Sequence, residues 1–282
     1  MQKAKSEIVL FVRNSLGIDL SVYDETFLLK SLQKRMTATA CDTMADYYLF
    51  LRANQAETGT FVQSLNITYS EFFRDPLVFA LLQQTILPDI LRNKKKNGRK
   101  EIRIWSAACA SGQEAYSLAI LLDQLEAGKQ YGVHCHIFAT DISATEIEIA
   151  KTGVYAPSSL QNVPMKYMDQ YFSREGDYYK IAAQLREAVD FSVYDLLDQE
   201  TKSLPSSIIG DFDLVFCSNL LFYFKQNTQK LIMNKTIRNL APGGFVVTGE
   251  VEKEILSSFH FSPVFTPATI FKNNNDTASH NP

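Results

Sequence analysis

Four short stretches of this chain carry residue types able to do chemistry. Ser106-Ala-Ala-Cys-Ala-Ser-Gly-Gln-Glu-Ala-Tyr-Ser117 follows the apolar run IRIW and is built mostly of small side chains, which let backbone approach a ligand closely. Gly112 is its only glycine, so the G-x-G-x-x-G of a dinucleotide fold is missing and a nicotinamide dehydrogenase is disfavoured. A tight strand-to-helix turn explains the same composition. Asp141, in ATDIS, follows a second apolar run. A carboxylate there accepts hydrogen bonds from both hydroxyls of a ribose, or simply suits a helix N-terminus. Cys217-Ser-Asn-Leu-Leu-Phe-Tyr223-Phe follows FDLVF and puts Asn219 and Tyr223 near a strand end, although aromatic-rich segments also build cores. In Tyr69-Ser-Glu-Phe-Phe-Arg-Asp-Pro76, Arg74 stands beside paired aromatics. A guanidinium holds a carboxylate through two parallel hydrogen bonds, or lies on the surface at a helix start.

Other candidates carry less. His134 and His136 share one strand face, a spacing that can ligate metal, but a structural role at the strand entry is preferred and no metal site is assigned. Cys41, Cys109, Cys135 and Cys217 lie far apart in no ligand or redox spacing and read as ordinary reduced thiols.

These residues need a frame. From about Ile102, the runs IRIWSA, HIFATD, FDLVFCSN and FVVTGE alternate with helical stretches such as QEAYSLAILLDQL and ATEIEIAKTG. That alternation predicts a parallel sheet of βαβ units, with ligands at the carboxyl ends of its strands. Ser143-Ala-Thr-Glu146 is a capping box and Gly153 stands where a helix ends, which places Asp141 at a strand's carboxyl end. Residues 155 to 190 break the alternation and read as a small β insertion around the turn Glu175-Gly176-Asp177. Val189, Phe191 and Val193 then alternate like a strand rejoining the main sheet. Residues 1 to about 64 read as helical, with Phe27, Leu28, Leu32 and Met36 at helical spacing and a second apolar segment at Tyr47, Leu49, Phe50 and Leu51. The polar tail KNNNDTASHNP has no periodicity and reads as disordered.

Composition sets outer bounds. The 282 residues, 46% hydrophobic and 21% charged, suit one large domain and a small one. A net charge of −3 gives no reason to expect a nucleic-acid binder. No apolar run approaches a membrane span and no signal peptide is read, so no membrane insertion and a cytoplasmic location are expected.

Taken in order, SEFFRDP, IWSAACASGQEAYS, FATDIS, YDLL, CSNLLFYF and LAPGGF resemble the CheR-type chemotaxis protein-glutamate O-methyltransferases, over about residues 8 to 272. The resemblance implies a Rossmann-like α/β methyltransferase sheet, doubly wound, with a small β insertion, behind a small all-α N-terminal domain. The expected domains are 1–75, helical domain and linker; 76–274, methyltransferase domain with the insertion at about 155–190; and 275–282, a disordered tail.

The implied cofactor is S-adenosylmethionine, with S-adenosylhomocysteine as product. By resemblance, Thr68, Ser70 and Arg74 contact it from the FFR segment, and Ala107 and Glu114 from the small-residue loop. Asp141 takes the ribose, Asp195-Leu196 lie beside the adenine, and Cys217, Ser218 and Asn219 correspond to the family's C-R-N. Arg74 and Tyr223 are the candidates for orienting an acceptor carboxylate. The chain departs from the family at Ser218, at Gly112-Gln-Glu-Ala-Tyr-Ser117, at Thr68 and at Gly249-Glu-Val-Glu252 in place of G-H-S-E. The implied partner is a chemoreceptor cytoplasmic helical bundle, met through Lys30, Lys34 and Arg35. The short insertion turn predicts no dependence on a receptor C-terminal peptide. A methyltransferase of another substrate, and a non-catalytic module binding the same cofactor, remain as alternatives.

Overall fold

The computed structural model describes residues 2–66, 68–129, 131–198, 200–201, 203–207, 210–256, 259 and 261–274. The chain divides into two compact units, Met1–Ile67 with Leu220–Leu231, and Thr68–Asn219 with Ile232–Pro282.

The smaller unit packs α1 (Gln2–Leu16), α2 (Glu25–Ala38), α3 (Met44–Ala53) and α4 (Gln55–Gln63). Asp24 caps α2 by accepting from Thr26 and Phe27 N–H, and Thr43 with Asp46 forms a reciprocal capping box on α3. The helical periodicity holds: Leu28 and Leu32 join Ile8, Val12, Tyr47, Leu51 and Phe61 in the core, while Phe27 and Met36 flank it. Leu49 is exposed. The segment Leu220–Leu231 belongs to this unit through Tyr23, whose ring stacks on Phe224 at 5.1 Å, and through Asp24, whose N–H donates to the Tyr223 carbonyl at 2.8 Å.

The larger unit opens with α5 (Pro76–Leu81) and α6 (Leu87–Lys96), joined by a widened turn, Leu82–Ile86, that precedes Pro88. A proline inside a regular helix would meet the carbonyl four residues back, and a local π turn relieves that. Then come β1 (Glu101–Ala107), α7 (Gln113–Lys129), β2 (His134–Asp141), α8 (Ala144–Thr152), β3 (Val154–Tyr155), α9 (Met165–Tyr171), β4 (Phe172–Glu175), β5 (Tyr178–Ile181), α10 (Ala183–Glu187) and β6 (Val189–Val193). After these follow β7 (Phe212–Phe216), α11 (Gln226–Arg238, begun in the smaller unit), β8 (Leu240–Val247), α12 (Lys253–Leu256), β9 (Phe261–Pro263) and β10 (Ile270–Asn273).

The main sheet runs β6-β2-β1-β7-β8-β10-β9, parallel from β6 to β8 and antiparallel beyond. From β1 the chain builds outward first to β2 and β6, then returns to the other side at β7. The sheet therefore has its switch point between β1 and β7, where a crevice opens at the carboxyl ends. The β insertion is a separate three-stranded sheet, β3-β5-β4, whose hairpin turns at Gly176. Two details differ from the sequence reading. The expected β insertion contains helix α9 ahead of its turn at Gly176, and Lys272 and Asn273 pair within β10 rather than opening a tail. Residues 275–282, expected to be disordered, lie outside the described residues.

Candidate functional site

β1 ends at Ala107, buried and in register with Thr140. The chain then turns through Ala108 at φ 59°, Ala110 at φ 47° and Gly112 at φ 89° before α7 begins. The two alanines occupy the left-handed region at about 1–2 kcal/mol each. Hydrogen bonds hold them there: Cys109 N–H donates to the Thr140 carbonyl at 2.9 Å, and Ala110 N–H to Asp141 Oδ2 at 2.9 Å. Gly112 is required twice over. Besides its φ, a Cβ there would lie 2.9 Å from Ala150 Cβ and 3.0 Å from the Phe191 ring.

Asp141 closes β2 and is 5% exposed. Its Oδ1 accepts from Ser143 N–H at 2.8 Å while Oδ2 holds the Ala110 N–H. Burial raises its pKa, against backbone donors from Ser143, Ala110 and Ile142 that lower it. The capping box read at Ser143 is half present. Ser143 Oγ accepts from Glu146 N–H, but the Ser143 N–H goes to Asp141. Asp141 therefore ties β2 to the β1 loop, and its two oxygens, with about four acceptor sites between them, still have capacity for a ligand.

Glu114 sits in the first turn of α7. Ser106 Oγ donates to its Oε1 at 2.7 Å and Ser218 Oγ to its Oε2 at 3.0 Å, so the carboxylate joins the ends of β1 and β7 across the switch point. The side chain keeps some accessible surface yet lies deep among protein atoms. Burial pushes its pKa up to about 7, against the Ser106 and Ser218 hydrogen bonds and the Arg74 charge, which lower it. The Cys109 thiol, pushed well up by its own burial, is pushed further by Asp141 and then Glu114, which places both carboxylates around one loop.

Beyond β7, Cys217 is fully buried and its N–H donates to the Val247 carbonyl at 2.9 Å. Ser218 and Asn219 follow, half-buried, with Asn219 at φ 60°. The cause of that turn is Glu252, which is 0% exposed. Its Oε2 accepts from Asn219 N–H at 2.9 Å and Gly249 N–H at 2.7 Å, clamping the loops after β7 and β8 together.

In the FFR segment, Phe72 is fully buried, edge-on to Tyr155 and Phe172. Phe73, at φ 50°, stacks on Tyr167 and donates its N–H to Ser117 Oγ at 3.0 Å. Left-handed backbone at Phe73 lets two consecutive aromatic rings both face the core. Arg74 is exposed, its guanidinium 5.1 Å from the Tyr69 ring centroid. Thr68 is exposed and Ser70 half-buried. Asp195 folds back to accept from Leu197 N–H at 2.7 Å, and Leu196 is 8% exposed. Lys235 holds this loop through the Asp195 carbonyl at 3.0 Å and stands 4.5 Å from the Tyr194 ring centroid; burial lowers its pKa.

In the smaller unit, Tyr223 is half-buried with its ring edge-on to Phe27 at 4.8 Å. Lys30 and Lys34 are exposed on α2. Arg35 corrects the expected three-residue basic patch. Its Nε and Nη2 donate to Glu57 at 2.9 and 2.6 Å, and the Tyr47 hydroxyl donates to the same carboxylate at 2.8 Å. Arg35 thus balances a buried acid, leaving two lysines for the surface. His136 Nδ1 lies 3.4 Å from Glu101, and among the described residues no cluster of three or more His, Cys, Asp or Glu is arranged to hold a metal ion.

The larger unit thus brings Ala107, Glu114, Asp141, Ser218 and Asn219 to the carboxyl ends of adjacent strands, with the Arg74 charge bearing on Glu114. Sequence reading missed Ser106 and Glu252 as members. Their signals were faint: a serine eight residues before Glu114, and an acid in a segment noted only for departing from its relatives.

Comparison with known proteins agrees in order and extent. The family model described as "CheR methyltransferase, SAM binding domain" matches residues 68–268, and "CheR methyltransferase, all-alpha domain" matches residues 6–65. "Probable biofilm formation methyltransferase WspC" of Pseudomonas aeruginosa is 29% identical over 258 residues; the match covers 91% of this chain but 58% of that relative. "Chemotaxis protein methyltransferase 1" of the same organism is 29% identical over 248 residues, 86% of this chain and 87% of the relative. "Chemotaxis protein methyltransferase" of Salmonella typhimurium is 31% identical over 244 residues, 84% of this chain and 78% of the relative. With the two family models together matching residues 6–65 and 68–268, the chain belongs to the CheR family of S-adenosylmethionine-dependent methyltransferases.

Proposed function

We propose that this protein transfers a methyl group from S-adenosylmethionine to glutamate side-chain carboxylates of a chemoreceptor-like protein, in the cytoplasm, as a step of signal adaptation. The observation that carries the reading is Glu114, a carboxylate held at the β1/β7 switch point by two serine hydroxyls and no lysine or arginine within ion-pair distance among the described residues. Such a group suits a cationic ligand. When bound, S-adenosylmethionine supplies an already activated sulfonium methyl. Among this chain's residues, ionised Glu114 attracts the cofactor's positive charge and Asp141 accepts from ribose hydroxyls. Asp195 and Leu196 flank the adenine. Ala107, Thr68, Ser70, Arg74, Cys217, Ser218 and Asn219 complete the contacts. A glutamate acceptor is a carboxylate at neutral pH, so no general base is needed and positioning carries the rate. Arg74 and Tyr223 orient that acceptor.

The receptor bundle is met through Lys30 and Lys34 of α2. The tight β4–β5 hairpin supports independence from a receptor C-terminal peptide. Relatives named chemotaxis protein methyltransferases support the receptor as substrate. Ser218, standing where relatives carry arginine, favours a second reading in which the acceptor is another substrate. Incubation with labelled cofactor and receptor cytoplasmic fragments tests both: a base-labile methyl ester on the receptor supports the proposal, and cofactor binding without any receptor ester sinks it.

A further inference from the structure

The segment Arg92-Asn-Lys-Lys-Lys-Asn-Gly-Arg-Lys100 holds six of the chain's 28 Lys and Arg and no acid. The other 273 residues hold 22 cations among 31 acids, so positive charge is denser in this segment than elsewhere in the chain. Local ion pairs engage at least two of the six. Lys94, on the buried face of α6 with Leu87, Ile90 and Leu91, pairs with Asp213 at 2.8 Å. Arg92 forms an exposed pair with Asp89 one turn back. Helix-dipole compensation at the end of α6 would favour one or two cations. It gives no reason for Arg99 and Lys100, which follow the helix stop at Gly98 (φ 67°).

Lys96, Arg99 and Lys100 are exposed. Arg99 and exposed Lys272 line a cavity of about 270 Å³ between the end of α6 and the Gly243–Phe245 bend, where the two acids, Asp89 and Asp213, are already paired with Arg92 and Lys94. No large hydrophobic side chain is exposed among the described residues 87–104. A protein interface draws its energy from a buried apolar or aromatic centre, and single-stranded nucleic acid from aromatic stacking. The segment offers neither, and the half-buried Phe245 ring beside it lies under Lys272. Clustered, hydrated lysines on the polar side of an amphipathic helix instead suit a surface of laterally mobile anionic headgroups.

The patch also lies at the amino end of β1, whereas Ala107 and Glu114 lie at its carboxyl end. Seven strand residues separate them, roughly 20 Å. A surface engaged by the patch leaves the Glu114 crevice uncovered. We infer that the Arg92–Lys100 segment, with Lys272, is a docking face for an anionic phospholipid surface, engaged peripherally and without insertion. This inference is independent of the acceptor proposed above.

Flotation of the full chain with vesicles tests it, using phosphatidylcholine alone against phosphatidylcholine with phosphatidylglycerol, at low and high salt. Partition onto the anionic vesicles exceeds that onto neutral ones at least tenfold and is lost at high salt. Replacing Lys96, Arg99 and Lys100 by glutamine lowers it roughly a hundredfold, at about one decade or less per cation, while S-adenosylmethionine binding stays unchanged. Equal partition onto both vesicle types overturns the inference. So does a triple variant that binds as the parent does, or a preference for duplex DNA or polyglutamate over anionic vesicles at equal charge. Should the triple variant fail to fold, the salt and lipid comparisons on the parent chain still decide.

Discussion

Ser218 Oγ donates to Glu114 Oε2 at 3.0 Å, so a neutral hydrogen bond, not a cation, holds the central carboxylate from the β7 side. A guanidinium there would fix Glu114 as an anion. A hydroxyl leaves its charge state to burial, which raises the pKa to about 7. Burial thus sets Glu114 apart from an ordinary exposed carboxylate, with its pKa raised to about 7 at the β1/β7 switch point.

The first prediction is a pH dependence of cofactor binding. The ionised carboxylate is the form that attracts a cation, and it is present above pH 7 and lost below. Affinity for S-adenosylmethionine in calorimetry falls as pH drops from 8 to 6, approaching tenfold per unit at the acid end. Glu114→Gln weakens binding by about 10–100-fold and removes that pH dependence.

The same shift has a stability consequence of opposite sense. Glu114 has a folded pKa above its unfolded value, so the folded state binds more protons between pH 4.5 and 7 and loses stability as pH rises through that window. Free Glu114→Gln protein is accordingly more stable than the parent at pH 8, by about 1–3 kcal/mol, in denaturant titration. At pH 4 the difference shrinks.

Gly112→Ala places a methyl 2.9 Å from Ala150 Cβ and 3.0 Å from the Phe191 ring at a left-handed backbone position. It costs about 1–3 kcal/mol and weakens cofactor binding at once, because the same turn carries Ala108 and Ala110. Ala108→Gly, by contrast, relaxes a left-handed alanine and is neutral to stabilising by about 1 kcal/mol. Thermal melts of the two variants should move in different directions.

Glu252→Ala leaves the N–H groups of Asn219 and Gly249 without their shared acceptor. The expected loss is about 2–3 kcal/mol, with weaker cofactor binding. Glu252→Gln retains an acceptor oxygen and loses less.

In the helical unit, two kinds of cation should behave differently. Arg35→Ala strips the partner from buried Glu57 and destabilises by about 3 kcal/mol. Lys30→Glu with Lys34→Glu leaves the melting temperature nearly unchanged but lowers methylation of a receptor fragment at least tenfold. Loss of stability in the lysine variant would argue against a surface role.

Much of this was legible in the sequence because it rests on local pattern. Alternating apolar runs gave the parallel strands, and Ser143 and Gly153 bounded α8. Small residues before Glu114 marked the loop. What was not legible depends on which residues meet across distance. Arg35 looked like surface charge until Glu57, 22 residues on, proved to be its partner. Glu252 and Asn219 are 33 residues apart and joined by one carboxylate oxygen. Asp141 read equally well as ribose acceptor or helix-end acid. Its bonds to Ser143 and Ala110 make it an organiser of the loop. Tyr223, read simply as following a strand, belongs with its neighbours to the helical unit, because Phe27 and Phe224 find their aromatic partners there.

The most direct test of the central claim is mass spectrometry of a receptor cytoplasmic fragment after incubation with this protein and S-adenosylmethionine carrying a deuterated methyl. The label is expected on glutamate side chains, released as methanol by mild base, and lost with Arg74→Ala even at saturating cofactor. Label on a nitrogen or small molecule, stable to base, with receptor glutamates unmodified, would contradict it.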